Sequence, residues 1–240
     1  MGTRFEVVLP AENPEVLRPA GEAALAEIEE WHRRLSRFEP DSLLQHIHRA
    51  AFDAPVSVDG DMMALLEDCV AVWRNSDGAF DPSLGSGMES VALDPTARTI
   101  RFARRGVQLD FGAVGKGHAL DCAARVLREA GVESALIHGG TSSVFGLGYP
   151  PGESGWKIAL AGSGDPPIVV TLTDQALGAS SNVGRVHVMD HRHGKSSASR
   201  TLAAVTGPSA RLCDAWSTAA LVMGERPARL PDEYEMFLVP

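Results

Sequence analysis

The chain has 240 residues, of which 44% are hydrophobic, so it can bury one large core or two small ones. Its formal net charge of −9, without a cluster of Lys and Arg, argues against a nucleic-acid partner and favours a small ligand. No apolar run approaches the ~18 residues of a membrane span, and no basic region followed by an apolar stretch marks an export signal. The chain as given is therefore expected to be cytoplasmic.

The first half is predicted to mix strands and helices without an internal repeat. Residues 5–9 are expected to form a strand, and Asn13-Pro14 begins a helix with an apolar stripe between Leu17 and Leu35. A second helix, capped near Asp61, ends at a cluster of turn residues at 75–78. The tryptophans on both apolar stripes are expected to lie in the core. So are the three cysteines, Cys69, Cys122 and Cys213, which are predicted to be reduced.

Residues 109–121 predict a short apolar strand, a glycine-rich turn and a helix that begins behind Lys116. Glycines let the backbone approach an anion, the N–H groups of a helix start point at it, and a lysine supplies the countercharge. No Ser or Thr follows Lys116, and Gly-x-Gly-x-x-Gly is absent, so this is neither the nucleoside-triphosphate loop nor the dinucleotide fingerprint. The local pattern fits either a phosphate site or an ordinary connection with a solvated lysine.

The second half is predicted to be rich in strands. The helix behind Lys116 ends at Gly131, and a strand at 135–138 leads into the turn Gly139-Gly140. The mixture predicts an α+β fold with largely antiparallel sheets and packed helices, formed by one domain over residues 1–240, rather than a doubly wound nucleotide fold. Further strands are predicted at 142–147, 156–160, 168–172, 185–189, 202–206 and 235–239, and a further helix at 210–223.

Residues 78–82 place an aromatic ring and a carboxylate on a tight turn after a helix. Phe80 and Asp81 could stack on and hydrogen-bond to a planar heterocycle. Alternatively, Phe80 fills the core and Asp81 caps the turn.

Residues 187–195 carry three histidines and a carboxylate where a predicted strand runs into a loop. His191 and His193 lack a cysteine or a second spaced cluster, which argues against a zinc site. His187 as a general base is the better interpretation.

Asp214 and Thr218 stand four residues apart on a predicted helix and therefore project from the same face. A carboxylate and a hydroxyl are hard oxygen ligands that suit Mg²⁺ beside a pyrophosphate. The alternative is a helix cap plus a buried threonine.

Taken together and in this order, these segments resemble the FAD:protein FMN transferases, the ApbE family. The resemblance implies an ApbE-like, T-fold-related architecture. It also implies a Mg²⁺-dependent enzyme that cleaves the pyrophosphate of FAD, attaches FMN through a phosphoester to a Thr or Ser of an acceptor protein, and releases AMP. The resemblance covers nearly the whole chain, through residues 1–3, 35–42, 78–82, 109–121, 139–140, 179–181, 187–190, 214–218 and 222–224.

The resemblance also implies roles for individual residues. The Gly115 carbonyl, Asp214 and Thr218 match the Mg²⁺ ligands of the family. His187 matches the histidine proposed to deprotonate the acceptor hydroxyl, and Lys116 lies where it could neutralise phosphate charge. The positions that match contacts to FAD are Met1, Phe38, Ala79, Phe80, Asp81, Gly112, His118 and Ser217.

The chain departs from the family pattern in four places. Phe38 stands where a tyrosine is usual, and Thr141 where an aspartate is usual. Residues 179–181 replace a Thr-Ser-Gly run, and both this run and Thr141 are expected near the flavin pocket. In the usual Asp-Pro-x-Thr-Gly run, His191 and His193 replace the proline and the threonine, so the acceptor-side loop is expected to differ. Two alternatives stay open: an FAD pyrophosphatase that uses water and yields FMN and AMP, or a non-catalytic flavin-binding protein. Many relatives are exported lipoproteins, so the chain is a cytoplasmic member or a trimmed exported one, and a small residue at position 2 favours removal of Met1.

Overall fold

The computed structural model describes residues 3–10, 14–182, 189–196 and 202–239. In the part of the chain so described, no helix is long and apolar enough to cross a membrane. The helices are α1 (Pro14–Arg34), α2 (Leu43–Ala50), α3 (Gly60–Asn75), α4 (Gly115–Glu129) and α5 (Ala210–Met223). The strands are β1 (Phe5–Val8), β2 (Val56–Ser57), β3 (Val91–Asp94), β4 (Thr99–Phe102), β5 (Ala135–Gly139), β6 (Ser143–Leu147), β7 (Trp156–Ala159), β8 (Val169–Leu172), β9 (Gln175–Ser181), β10 (Met189–Asp190), β11 (Lys195–Ser196), β12 (Leu202–Gly207) and β13 (Glu235–Val239).

The largest layer is a six-stranded sheet in the order β1-β5-β6-β9-β12-β13. Every neighbouring pair in it is antiparallel. A three-stranded sheet, β2-β4-β3, and the two-stranded ribbons β7-β8 and β10-β11 complete the β structure of the described residues. The predicted α+β class with antiparallel sheets is confirmed.

The helices pack in a layer against this sheet. Helix α5 lies against β9 and β12, α4 packs on α5 and on β5 and β6, and α1 packs on α4. The core between them holds the fully buried rings of Trp31, Phe80 and Phe145. All three cysteines are buried and free, as predicted. The layer fixes the starts of α4 and α5 side by side, where the predicted metal ligands lie.

Most predicted element bounds are confirmed to within a residue or two, and α5 coincides with the predicted helix at 210–223. The cap of α3 was predicted wrongly: the Asp59 carboxylate, rather than Asp61, accepts the hydrogen bond from the Met62 amide, at 2.9 Å. Asp61 instead pairs with Arg125 at 2.6 Å. Residues 185–188 of one predicted strand lie outside the described residues.

The predicted strand before the glycine-rich turn is also wrong, because the backbone of that segment bonds to loops and to a side chain rather than to another strand. The Leu109 amide donates to the His48 Nε2 at 2.8 Å, and the Asp110 amide donates to the Pro82 carbonyl at 2.7 Å. The segment is thereby fastened to the loop that follows α3.

Strand β9 and helix α2, together with the small three-stranded sheet, were not predicted. Strand β9 consists largely of small residues, which carry little β-propensity. Helix α5 crosses it so closely that a Cβ at Gly178 would come within 2.4 Å of the Asp214 backbone nitrogen. Small side chains are therefore required here, and they remove the pattern by which strands are recognised.

Gly178→Ala is expected to destabilise the protein, because the added methyl group meets backbone atoms that cannot move aside. The expected loss in the free energy of unfolding is about 1–3 kcal/mol, measured by urea denaturation. Gly60→Ala is the control, since a Cβ there meets nothing within 4 Å. Equal stability of the two variants would contradict the close packing of α5 on β9.

His118, on α4, is fully buried in the core. Its ring lies edge-on to Trp31 with 4.1 Å between centroids, and its Nδ1 has no hydrogen-bond partner among the described residues. Burial, with the charge of Arg211 as the next cause, lowers the pKa of His118 from 6.5 to about 3. The ring therefore stays neutral in the folded protein at pH values where it takes up a proton in the unfolded chain.

His118→Phe is expected to make the protein less sensitive to acid. The stability that neutral His118 confers is complete above pH 6.5 and is lost as the pH falls toward about 3, because the unfolded chain then binds a proton that the fold excludes. Below pH 6.5 the variant should gain up to ~1.4 kcal/mol per pH unit relative to the parent, measured by urea unfolding between pH 7.5 and 5. His46→Phe, at an exposed site of α2, controls for the loss of one histidine. A parallel pH dependence of parent and His118→Phe would refute this assignment.

Candidate active site

The N-terminal ends of α4 and α5 meet, and each helix supplies an aspartate from its second turn to N–H groups at the start of the other. Asp121 of α4 accepts hydrogen bonds from the amides of Ala210 and Arg211, at 2.7 and 3.1 Å, at the start of α5. Asp214 of α5 accepts one from the amide of Gly117, at 2.8 Å, in the first turn of α4. Only glycine fits at 117, because a Cβ would lie 2.2 Å from the Ala210 carbonyl oxygen. The two helix starts are therefore locked in contact.

The Asp214 carboxylate is 4% exposed. Besides the Gly117 amide, it accepts a hydrogen bond from the Ser143 hydroxyl of β6, with 2.8 and 3.1 Å to its two oxygens. Burial raises the pKa of Asp214 to about 6, against the opposing effects of the Lys116 charge and the two hydrogen bonds. The half-buried Lys116 is thus an electrostatic partner of Asp214.

Three hydroxyl groups adjoin Asp214 on α5 and β9. Ser217 and Thr218 donate to the Asp214 backbone carbonyl, at 2.9 and 3.2 Å. The Ser180 hydroxyl of β9 lies 2.9 Å from that of Ser217 and 3.0 Å from that of Thr218. The capping alternative for Asp214 is wrong, because the Ser209 hydroxyl caps α5.

The donors around Asp214 are chemically suited to a hard cation. Within the described ranges, no group of three or more His, Cys, Asp or Glu side chains gathers in one place. A cation here would therefore rely on hydroxyl and carbonyl oxygens beside a single carboxylate, which Mg²⁺ accepts. Gly115 begins α4, two residues before the amide that contacts Asp214. The predicted ligand set of the Gly115 carbonyl, Asp214 and Thr218 fits this chemistry and stays a prediction.

A second part of the predicted site surrounds Gly112. The Gly112 amide donates a hydrogen bond to one oxygen of the Asp110 carboxylate at 2.7 Å. The other oxygen of Asp110 forms an ion pair with Arg37 at 2.9 Å. Phe38 follows Arg37 and is 79% exposed. Two of the predicted FAD contacts, Phe38 and Gly112, are thus linked through one ion pair.

In the turn after α3, the residues predicted to contact FAD pack in the core or form hydrogen bonds within the turn. Ala79 and Phe80 are buried at 4% and 1% exposure. The Asp81 carboxylate accepts hydrogen bonds from the Ser83 amide and hydroxyl, at 2.8 and 2.6 Å, and from the Gly85 amide at 2.8 Å. The structure therefore matches the alternative interpretation, in which Phe80 fills the core and Asp81 caps the turn.

A cavity of about 440 Å³ is lined by residues of this turn and by His191 and Arg192 of the ribbon β10-β11. The Arg192 guanidinium holds Asp190 through two bonds, at 2.8 and 2.9 Å, and with His193 lowers the pKa of that carboxyl. The stem of Arg192 packs 3.5 Å from where a Cβ on Gly78 would stand. Arg192, at the variable position of this motif, therefore braces the ribbon against the turn.

The remaining predicted site residues divide into two groups. His118 has no accessible surface and packs against Trp31, so a contact between its side chain and a ligand would require the core to open. Met1 and His187 lie outside the described residues. The sequence did not single out Ser143 and Ser180, and the small polar residues around Gly139-Gly140 and in β9 were its only signal for them.

The chain is similar to curated proteins named FAD:protein FMN transferase. A curated relative from Treponema pallidum, named FAD:protein FMN transferase, is 31% identical over 206 residues, which cover 65% of this chain and 57% of that protein. A relative of the same name from Rhodobacter capsulatus is 26% identical over 265 residues, covering 93% of this chain and 50% of that protein. The chain thus spans about half the length of these two relatives.

Solved structures share the fold. The ApbE protein from Thermotoga maritima has a TM-score of 0.84 at 23% identity, covering 99% of this chain and 91% of that one. The flavin transferase ApbE from Vibrio cholerae has a TM-score of 0.80 at 17% identity, covering 100% of this chain and 94% of that one. The family model described as ApbE matches residues 1–232. This chain belongs to the ApbE family.

Proposed function

We propose that this chain is an FAD:protein FMN transferase that depends on Mg²⁺. It would cleave the pyrophosphate of FAD, join FMN to a Thr or Ser hydroxyl of an acceptor protein, and release AMP. The observation that carries the proposal is the meeting of the α4 and α5 starts around the buried Asp214 carboxylate. The names of the curated relatives support the same activity.

The start of α4 suits the pyrophosphate of FAD. The partial positive charge of a helix start and the charge of Lys116 favour an anion there. Asp214, Thr218 and the Gly115 carbonyl would hold Mg²⁺, which when bound offsets negative charge on the pyrophosphate oxygens. The Asp214 carboxylate accepts hydrogen bonds from the Gly117 amide and the Ser143 hydroxyl, and these two groups orient it.

His187 is proposed as the base. In the transfer, the acceptor oxygen forms a bond to the phosphorus of the FMN half, while the bond from that phosphorus to the AMP oxygen breaks. The acceptor hydroxyl loses its proton in this step. A neutral imidazole, with an ordinary pKa near ~6.5, accepts that proton near neutral pH better than a carboxylate does.

The activity is tested by incubating the protein with FAD and Mg²⁺, with and without a candidate acceptor that displays a Thr or Ser in an exposed loop. Transfer predicts flavin fluorescence on the denatured acceptor and a mass increase equal to FMN less one water. Free FMN and AMP without acceptor labelling would instead support the pyrophosphatase alternative. Intact FAD after long incubation would refute both enzymatic functions.

Asp214→Asn is expected to reduce Mg²⁺-dependent cleavage of FAD by ~10²-fold or more, because it removes the only charged ligand of the proposed set. The amide oxygen can still accept a bond from Gly117 or Ser143, so the thermal unfolding midpoint should change little. Asp174→Asn is a matched control at an exposed aspartate that pairs with Arg128 at 3.0 Å. Full activity of Asp214→Asn over a Mg²⁺ titration would rule out the metal assignment.

His187→Ala is expected to slow transfer to the acceptor by ~10²-fold or more while leaving FAD affinity unchanged, since only the proton acceptor is lost. Single-turnover labelling gives the rate, and quenching of flavin fluorescence gives the affinity. His46→Ala, on the exposed face of α2, is the control. An equal loss of affinity and rate in His187→Ala would indicate a structural role instead.

A further inference from the structure

Phe38 is an exposed aromatic ring on a turn whose backbone is fixed from one side by α2. The Ser42 hydroxyl donates to the Ser36 carbonyl at 2.6 Å, and the Gln45 side chain donates to the Arg37 carbonyl. The Ser36 hydroxyl accepts a bond from the Phe38 amide at 3.2 Å. The path of the turn therefore does not depend on the Arg37 side chain.

The Arg37 side chain makes two other contacts. Its guanidinium carbon lies 4.9 Å from the centroid of the Phe38 ring, and its Nη1 lies 2.9 Å from Asp110. Asp110 is in turn fixed by the Gly112 amide at 2.7 Å. One chain of contacts thus runs from the glycine-rich segment before α4, through an ion pair, to a ring that is 79% exposed.

The ion pair contributes little to stability where it lies. The side chains of Arg37 and Asp110 are 52% and 23% exposed, and pairs that reach solvent add little to the free energy of unfolding. Its consequence is geometric: the cation covers one part of the Phe38 ring and links it through Asp110 to the Gly112 amide. The remaining surface of the ring stays open for a second planar group.

We propose that Arg37, held by Asp110, is a positioning residue that presents Phe38 as a stacking surface for a planar ring of FAD. The inference rests on the proposed function, in which Phe38 contacts FAD. It extends that function to a pair of charged residues that the family resemblance does not assign, and it predicts that Arg37 acts only through Phe38.

The chain contains a matched control for this arrangement. Arg105 pairs with Asp53 at 2.9 Å and lies 4.3 Å from the centroid of the Phe52 ring. The contacts are of the same kind as those of Arg37, an ion pair and an aromatic ring, but they occur beside the three-stranded sheet. Removal of the Arg105 charge therefore reports the general cost of losing an exposed arginine over an aromatic ring.

The test is a titration of the whole chain with FAD, without acceptor, followed by quenching of flavin fluorescence. Arg37→Met is expected to weaken FAD binding about fivefold or more, as expected for a lost stacking contact. Arg37→Lys should retain most of the affinity, because it keeps a charge for Asp110. Arg105→Met should bind FAD like the parent, and thermal midpoints of all variants should agree.

The decisive comparison measures the effect of Arg37→Met in a chain that already carries Phe38→Ala. Phe38→Ala should weaken binding, and adding Arg37→Met to Phe38→Ala should cause no further loss. Equal losses from Arg37→Met in both backgrounds, or unchanged affinity of Arg37→Met alone, would overturn the proposal while leaving the transferase function standing. A parent chain that binds no FAD would overturn both. Parallel calorimetric titrations with FMN and AMP identify whether the flavin or the adenine ring loses affinity.

Discussion

The contact between the first turns of α4 and α5 is the constraint on which the site depends. Helix starts carry unpaired N–H groups and partial positive charge, so two of them meet only where anionic groups intervene. Here the Asp121 carboxylate of α4 accepts a hydrogen bond from the start of α5, and the Asp214 carboxylate of α5 accepts one from the start of α4. Gly117 permits the approach, since any Cβ would collide with Ala210. The same contact that joins the helices therefore sets the buried carboxylate beside the glycine-rich segment.

The close packing spreads outward from this contact. Because α5 lies almost on the backbone of β9, that strand has Gly178 where α5 crosses and small polar residues beyond it. Those residues include Ser180, whose hydroxyl meets the α5 hydroxyls of Ser217 and Thr218. The close approach of α5 thus requires small residues in β9, which removes the sequence pattern typical of a strand and places several hydroxyl oxygens together. Burial of Asp214 itself raises the pKa of its carboxyl group, and a nearby positive charge favours the ionised form.

The rim of the site follows a different principle, because charged side chains rather than helix packing join its segments. Arg37 and Asp110 connect the turn before α2 to the segment before α4. Arg192 and Asp190 brace the ribbon β10-β11, with the Arg192 stem against Gly78. In both places this chain has an arginine at a loop close to a proposed ligand contact. Such exposed pairs constrain position at little gain in stability.

The sequence by itself determined the helices with apolar stripes, most strands, and the chemistry offered by Lys116, Asp214 and Thr218, because these follow from local periodicity and residue type. The tertiary structure alone decided which groups meet. Asp214 binds Gly117 and Ser143 across 97 and 71 residues of chain, and contacts of that length leave no periodic signal. Burial is likewise a property of the assembled layers. Only the fold therefore distinguishes the buried His118 ring from the exposed Phe38 ring.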